Sequence, residues 1–339
     1  MRLNRDLEKL ILTTLFVCLG GCKTNPTDAQ LKAWRIEASD RNAQIVAANA
    51  NKEKPSQWNL EIQGETATGK SVELNWQQLQ VLATEQVKTP DPTNIVQPNQ
   101  VFDFRGIKVA TLIKQFGVAS DVSDVTFVCF DSYHTTILLQ DLQAYPIILA
   151  IAKNNKPIKR DEGGPIYLVF PFAQYPLLRQ KYNETNWAFY VSHMIVGTEK
   201  ARVRVNKREL NLAALDKLPQ VTINQTVGYR LGWSSGKVKL HGVRLRDVLK
   251  LVGEKLPQQG KVKIRGKARF DDDAANLVQL SSSEVRDCDV ILATRWGNDR
   301  QLIPARMGGP VTLAFSSQCP SKTNQTRWVK FVEQLTTAQ

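Results

Sequence analysis

Five cysteines carry the most distinctive chemistry in this 339-residue chain, and their neighbours decide what each can do. Cys22 closes the run Leu19-Gly20-Gly21-Cys22, where two small residues open the backbone to a peptidase and the thiol can accept a diacylglycerol. Upstream stand Arg2, Arg5 and Lys9, diluted by Asp6 and Glu8. An uncharged apolar run from Leu10 to Gly20 follows, too short to span a bilayer but of signal-peptide length. Residues 1–21 are therefore expected to be a lipoprotein signal peptide, leaving Cys22 first in the mature chain with diacylglycerol and palmitate attached. Several acyl chains hold a membrane firmly where one binds reversibly. The expected address is the extracytoplasmic side of a membrane. Lys23 in place of aspartate after Cys22 directs it to the outer membrane, facing the periplasm, in a Gram-negative host. An oxidising compartment permits a Cys288–Cys319 disulfide. Nothing in their spacing brings those sulfurs together, so Cys129, Cys288 and Cys319 are expected to be buried small hydrophobes.

Charge is the second chemical signal. The net +13 resides wholly between Ala201 and Arg269, where 17 Lys and Arg face four Asp and Glu. Lys261, Lys263, Arg265, Lys267 and Arg269 alternate with Val262, Ile264, Gly266 and Ala268, and at a strand period of two they share one face. Arg202/Arg204, Lys237/Lys239 and Arg244/Arg246 repeat the device. Such a face attracts anions. An exported protein meets little nucleic acid, so the partners expected are anionic lipid or an acidic protein. The alternative is that the charges only keep an edge strand soluble.

Positioning these residues falls to a stalk and two similar units. Residues 22–56, rich in Ala, Asn, Gln and charge, read as a tether. Beyond it, Val72–Leu79 stands against Arg208–Leu215, and Phe104–Gly117 against Leu240–Gly253, both at an offset of 136 residues. The apolar pairs Ile107/Val243, Val109/Leu245, Leu112/Val248 and Ile113/Leu249 in the second match read as one amphipathic helix used twice. Phe130-Asp131 matches Phe270-Asp271, Ile148–Ala150 matches Ile291–Ala293, Gly163–Pro165 matches Gly308–Pro310, and Trp187 matches Trp328. The division expected is 57–199 and 200–339, each part long enough for its own core. Short strands are predicted at 58–63, 125–130, 135–139, 147–152, 166–170 and 188–195, with turns at Asn154-Asn155 and Gly163-Gly164-Pro165. Many strands with few helices make the fold class α+β. No Gly-rich phosphate loop leads into a helix, which excludes nucleotide-binding classes.

This order resembles the molybdopterin-binding fold of the sulfite oxidase family. The residues carrying the likeness are Gly106-Ile107-Lys108-Val109, Asp131-Ser132-Tyr133, Ile148-Leu149-Ala150, Asn154–Pro157, Gly163-Gly164-Pro165 and Trp187. Gly242–Leu245, Ile291–Ala293, Gly308–Pro310 and Trp328 repeat much of it. The resemblance implies two tandem domains of mixed sheets. It also implies a molybdenum-binding cysteine within 83–103 or 219–239, yet neither segment contains one, and the family's arginine after the G-x-P turn is Tyr167 or Thr312. Thiolate suits molybdenum, so an enzyme is disfavoured. The first unit is similar to short periplasmic relatives that bind pterins and signal through a membrane protein controlling a cyclic dinucleotide. That implies a binding module for a pterin-like molecule. Such a ligand needs a stacking plane and a carboxylate for its aminopyrimidine edge. The candidates are Asp131, Tyr133, His134, Arg160, Asp161, Tyr167 and Trp187, and each also has a structural explanation as core or turn. The readings left open besides are a molybdopterin-dependent oxidoreductase and a cofactor-free scaffold.

Overall fold

Leu60 and Ile62 are buried while Glu61 and Gln63 point away from them, the period-two pattern of a half-buried strand. The computed structural model describes residues 58–338, except 95, 230–231, 234–235, 255, 257–259, 268–276 and 320–326. The predicted signal peptide, Cys22 and the tether lie outside the described residues, as do Arg269 and Phe270-Asp271.

The first repeat contains β1 (Leu60–Gly64), β2 (Val72–Leu74), β3 (Glu85–Pro90), β4 (Val101–Lys108), β5 (Asp124–Cys129), β6 (His134–Leu138), β7 (Ile148–Lys153), β8 (Lys156–Pro157), β9 (Tyr167–Val169) and β10 (Val191–Val196). One sheet has the order β2-β1-β10-β5-β6. The other runs β3-β4-β7-β8, with β9 also on β7. The chain then repeats itself with β11 (Arg202–Val205), β12 (Arg208–Asn211), β13 (Gln220–Gln225), β14 (Val238–Arg244), β15 (Lys261–Gly266), β16 (Leu277–Ser281), β17 (Val290–Trp296), β18 (Gln301–Leu302), β19 (Thr312–Phe315) and β20 (Val332–Ala338). Its sheets run β12-β11-β20-β15-β16 and β13-β14-β17-β18, with β19 on β17, the same two orders. Both closing strands carry a bulge, at Ser192 opposite β5 and at Glu333 opposite β15, which aligns the repeats residue by residue. Seven short α-helices occur among the described residues, and the fold is α+β with mixed sheets. Each repeat has its own apolar core. No helix among the described residues is long and apolar enough to cross a membrane.

Two local expectations change. The segments read as one amphipathic helix are half strand: β4 and β14 run through Lys108 and Arg244, and only Val109–Phe116 and Leu245–Leu251 are helical. Gly106 and Gly242 decide this, since each sits at a bulge where a Cβ would strike the carbonyl of Leu149 or Leu292 on the neighbouring strand. The cysteines also differ from expectation. Cys288, at the end of helix Ser282–Asp287, is disulfide-bonded to Cys319 after β19, with their Cα atoms 5.1 Å apart. The helix and the strand bring together what the 31-residue separation conceals. Cys129 is free and buried.

Candidate functional site

Alternation places Thr126, Val128, His134 and Ile195 on the face of the first sheet that points away from its own core, yet all but His134 and Thr126 are apolar and all four are buried. The second repeat covers them. Its turn Ala305–Met307, followed by left-handed Gly308, packs on β5 and β6, and Ala305 and Phe331 form an apolar cluster with Val128 and Ile195. His134 is therefore 1% exposed. Its ring stands edge-on to Phe331 at 5.2 Å, and its Nε2 lies 3.3 Å from the Arg306 carbonyl. Lys330 Nζ donates to the Ser132 carbonyl and lies 3.3 Å from His134 Nδ1, so Nε2 carries the proton donated to Arg306. Burial, helped by the Lys330 charge, pushes the imidazole down to about 3, leaving it neutral. Burial lowers Lys330 to about 8 against the pull of Asp131. Asp131 keeps an exposed edge, but the protein crowding it raises its carboxyl, although the Tyr133 N–H donates to it at 3.0 Å. Tyr133, pushed up to about 12 by burial, donates to the Thr185 carbonyl.

Arg160 belongs to the turn Arg160–Glu162, the first-repeat counterpart of Ala305–Met307. Its guanidinium lies 4.7 Å from the Trp58 and Phe130 ring centres and 4.9 Å from that of Tyr190. Asp131 feels its charge, and Asp161 beside it is exposed. The structure thus gathers Asp131, Tyr133, His134 and Arg160 near the repeat junction. Tyr167 and Trp187 are elsewhere, in the core, and offer no open ring face. Tyr167 stacks on Phe189 at 4.6 Å and donates to Asp91 at 3.1 Å. Trp187 packs against Phe104, Tyr167 and Phe172, and its indole N–H is buried without a partner. A tryptophan opening a closing segment marks the core, because its area is worth most where water is excluded.

The loops that would carry a molybdenum thiolate join β3 to β4 and β13 to β14. In the first, Asp91 is already held by the Tyr167 hydroxyl, Thr93 and Lys153. In the second, Tyr229 and Trp233 both donate to the Met307 carbonyl, at 2.7 and 2.9 Å. Neither loop has a cysteine, and Cys129 lies on β5 in the other sheet with burial pushing its thiol up. Among the described residues no three His, Cys, Asp or Glu side chains group to hold a metal. The donor set does not fit thiolate-bound molybdenum.

What the junction does enclose is a cleft of about 1190 Å³, between the β1–β2 loop, the linker Thr198–Arg202 and the second repeat. Glu65, Glu199, Glu209, Glu333, Lys200 and Arg202 line it. Glu65 accepts from the Thr198 N–H at 2.9 Å. Thr66, 6% exposed, presents a buried hydroxyl with no partner. Lys267 ties together three of the lining residues: its ammonium reaches Gln63 at 2.5 Å, Glu199 at 3.1 Å and Glu333 at 2.7 Å. This corrects the basic stripe. Lys261, Lys263 and Arg265 do share the outward face of β15, but past the strand Lys267 turns inward, to 3% exposure. Arg244 and Arg246 both pair with the single carboxylate of Asp289, which offsets one of their two charges. No sequence pattern announced Thr66, Glu199 or Glu333, because the cleft they line forms only where the β1–β2 loop, the linker and the second repeat meet.

Two sulfite-oxidase-like sheet pairs in tandem, with a cleft where they meet, define the class. The chain belongs to the family of the oxidoreductase molybdopterin binding domain, whose pattern matches residues 47–175 and again 180–339. No curated protein is detectably similar in sequence. Among solved structures, the sulfane dehydrogenase SoxCD from Paracoccus pantotrophus aligns at 12% identity and TM-score 0.34, over 68% of this chain. This chain spans 60% of that one.

Proposed function

We propose that this protein is a lipid-anchored, extracytoplasmic binding protein that holds a pterin-like small molecule in the cleft between its repeats and passes that occupancy to a membrane partner. The observation that carries the reading is the cleft itself. It combines an unpartnered buried hydroxyl at Thr66 with the carboxylates of Glu65, Glu199 and Glu333, acceptors of the kind an aminopyrimidine edge pairs with. The Cys288–Cys319 bond supports an oxidising compartment, and Leu19–Cys22 supplies the anchor. The competing oxidoreductase reading lacks its thiolate in both repeats.

The test is titration of the full chain with a fluorescent oxidised pterin, alongside metal analysis of protein purified from its native host. Binding is expected, weakened about fivefold by Thr66→Val for the loss of one neutral hydrogen bond. Stoichiometric molybdenum would sink the proposal, and neither ligand nor metal would leave a scaffold. Acyl labelling lost in Cys22→Ser checks the anchor.

A further inference from the structure

The face of the first sheet that holds the second repeat has a counterpart on the second sheet, where basic residues replace both its acidic and its neutral ones. The bulges at Ser192 and Glu333 align Asp124 with Lys261, Thr126 with Lys263 and Val128 with Arg265. Through the parallel pairs Glu61–His193 and Arg204–Gln334, Glu61 aligns with Arg204. The first face is acidic and covered. The second presents Arg202, Arg204, Lys261 and Lys263, all exposed, on the same side of β11 and β15.

The corner that covers the first face is also repeated. Ala305–Met307, Gly308 and Phe331 correspond to Arg160–Glu162, Gly163 and Tyr190: both turns end in a left-handed glycine whose carbonyl accepts the N–H of an aromatic residue with positive φ. Here too the sign is reversed. Arg306, which lies 3.7 Å from Asp124 across the formed junction, corresponds to Asp161. Phe331 is 1% exposed at the junction, whereas Tyr190 is half-buried and Asp161 and Glu162 are exposed.

We propose that a second copy of this chain docks head to tail, seating the corner Asp161–Tyr190 of one molecule on the Arg204–Lys261–Lys263 face of the next. In this docking Asp161 meets Lys261 as Arg306 meets Asp124. Arg265 stands where Val128 does, so the seat is charged where the first one is aliphatic. Because the joined surfaces differ, each docking leaves one face and one corner available, so copies extend in a row rather than stopping at a closed pair. The seat has exchanged apolar residues for charged ones, so the contact is salt-sensitive and weaker than the junction inside one molecule.

The experiment uses two differently tagged forms of the full chain in detergent micelles, scored by co-capture and by sedimentation. Wild-type copies are expected to associate at low salt, at least tenfold more weakly when Lys261→Glu is in both forms. The decisive mixture pairs a Lys261→Glu form with an Asp161→Lys form: neither form associates with itself, but together they present one native corner on one native face and one charge-reversed pair, which restores co-capture. Thermal unfolding unchanged in each variant shows that folding is not the cause of any loss. No association of wild-type copies, or association indifferent to both reversals, overturns the proposal. If Lys261→Glu instead abolishes binding of wild-type-like monomers to phosphatidylglycerol vesicles, the face serves lipid and not a second copy.

Discussion

Replacing Lys267 by methionine tests whether the two repeats are held as described. The side chain is 1% exposed, and its ammonium bridges Gln63 of the first repeat, Glu199 of the linker and Glu333 of the second. Removing one partner of a buried ion pair costs ~3–5 kcal/mol, because the carboxylate left behind keeps its desolvation penalty without its partner. Glu199 is 17% and Glu333 44% exposed, so both recover some hydration and the loss falls to ~2–3 kcal/mol. For a chain of this size that is a fall in Tm of roughly 3–5 °C. Burial opposes the charge on Lys267, but Glu199 and Glu333 prevail and hold its pKa above the usual lysine range. A raised pKa contributes stability in full below the ordinary lysine value and loses it only as pH rises through the folded one. The deficit should therefore be constant from about pH 6 to 9. Urea unfolding and calorimetry at several pH values measure it. A change below ~0.5 kcal/mol would refute the argument, showing the ammonium to be no keystone.

Two further outcomes follow from the second repeat. Replacing both Cys288 and Cys319 by alanine opens a loop of 31 residues and should cost ~3–4 kcal/mol by the chain-entropy argument, read as a matching loss in reductant-treated wild type. Glu284 is held down to about 2, chiefly by its hydrogen bond from Arg327. Its contribution is complete above the ordinary carboxylate value and is lost as pH falls toward about 2. Glu284→Gln should flatten that part of the acid limb in urea midpoints taken between about pH 5 and 2.

By itself the sequence determined what depends on local period and on residue type. The duplication was legible because each repeat must bury the same apolar faces, and the α+β class because short alternating runs outnumber helical ones. The outward positions of Lys261, Lys263 and Arg265 followed from a strand period of two. The absence of cysteine from 83–103 and 219–239 was equally plain, and it disfavoured thiolate-bound molybdenum without any coordinates. Only tertiary structure decided the rest. His134 became buried because a second repeat lands on its strand. Lys267 left the stripe because Glu199 and Glu333, distant in sequence, converge on it. Trp187 and Tyr167 became core because the first repeat's apolar side chains close around them. The cleft at Thr66 exists only where two repeats and their linker meet. The contacts at the junction join residues 66 to 204 positions apart, and no periodicity reports them. The charge reversal between the two sheet faces was present in the sequence throughout, but only the matched bulges at Ser192 and Glu333 set Asp124 beside Lys261 for comparison.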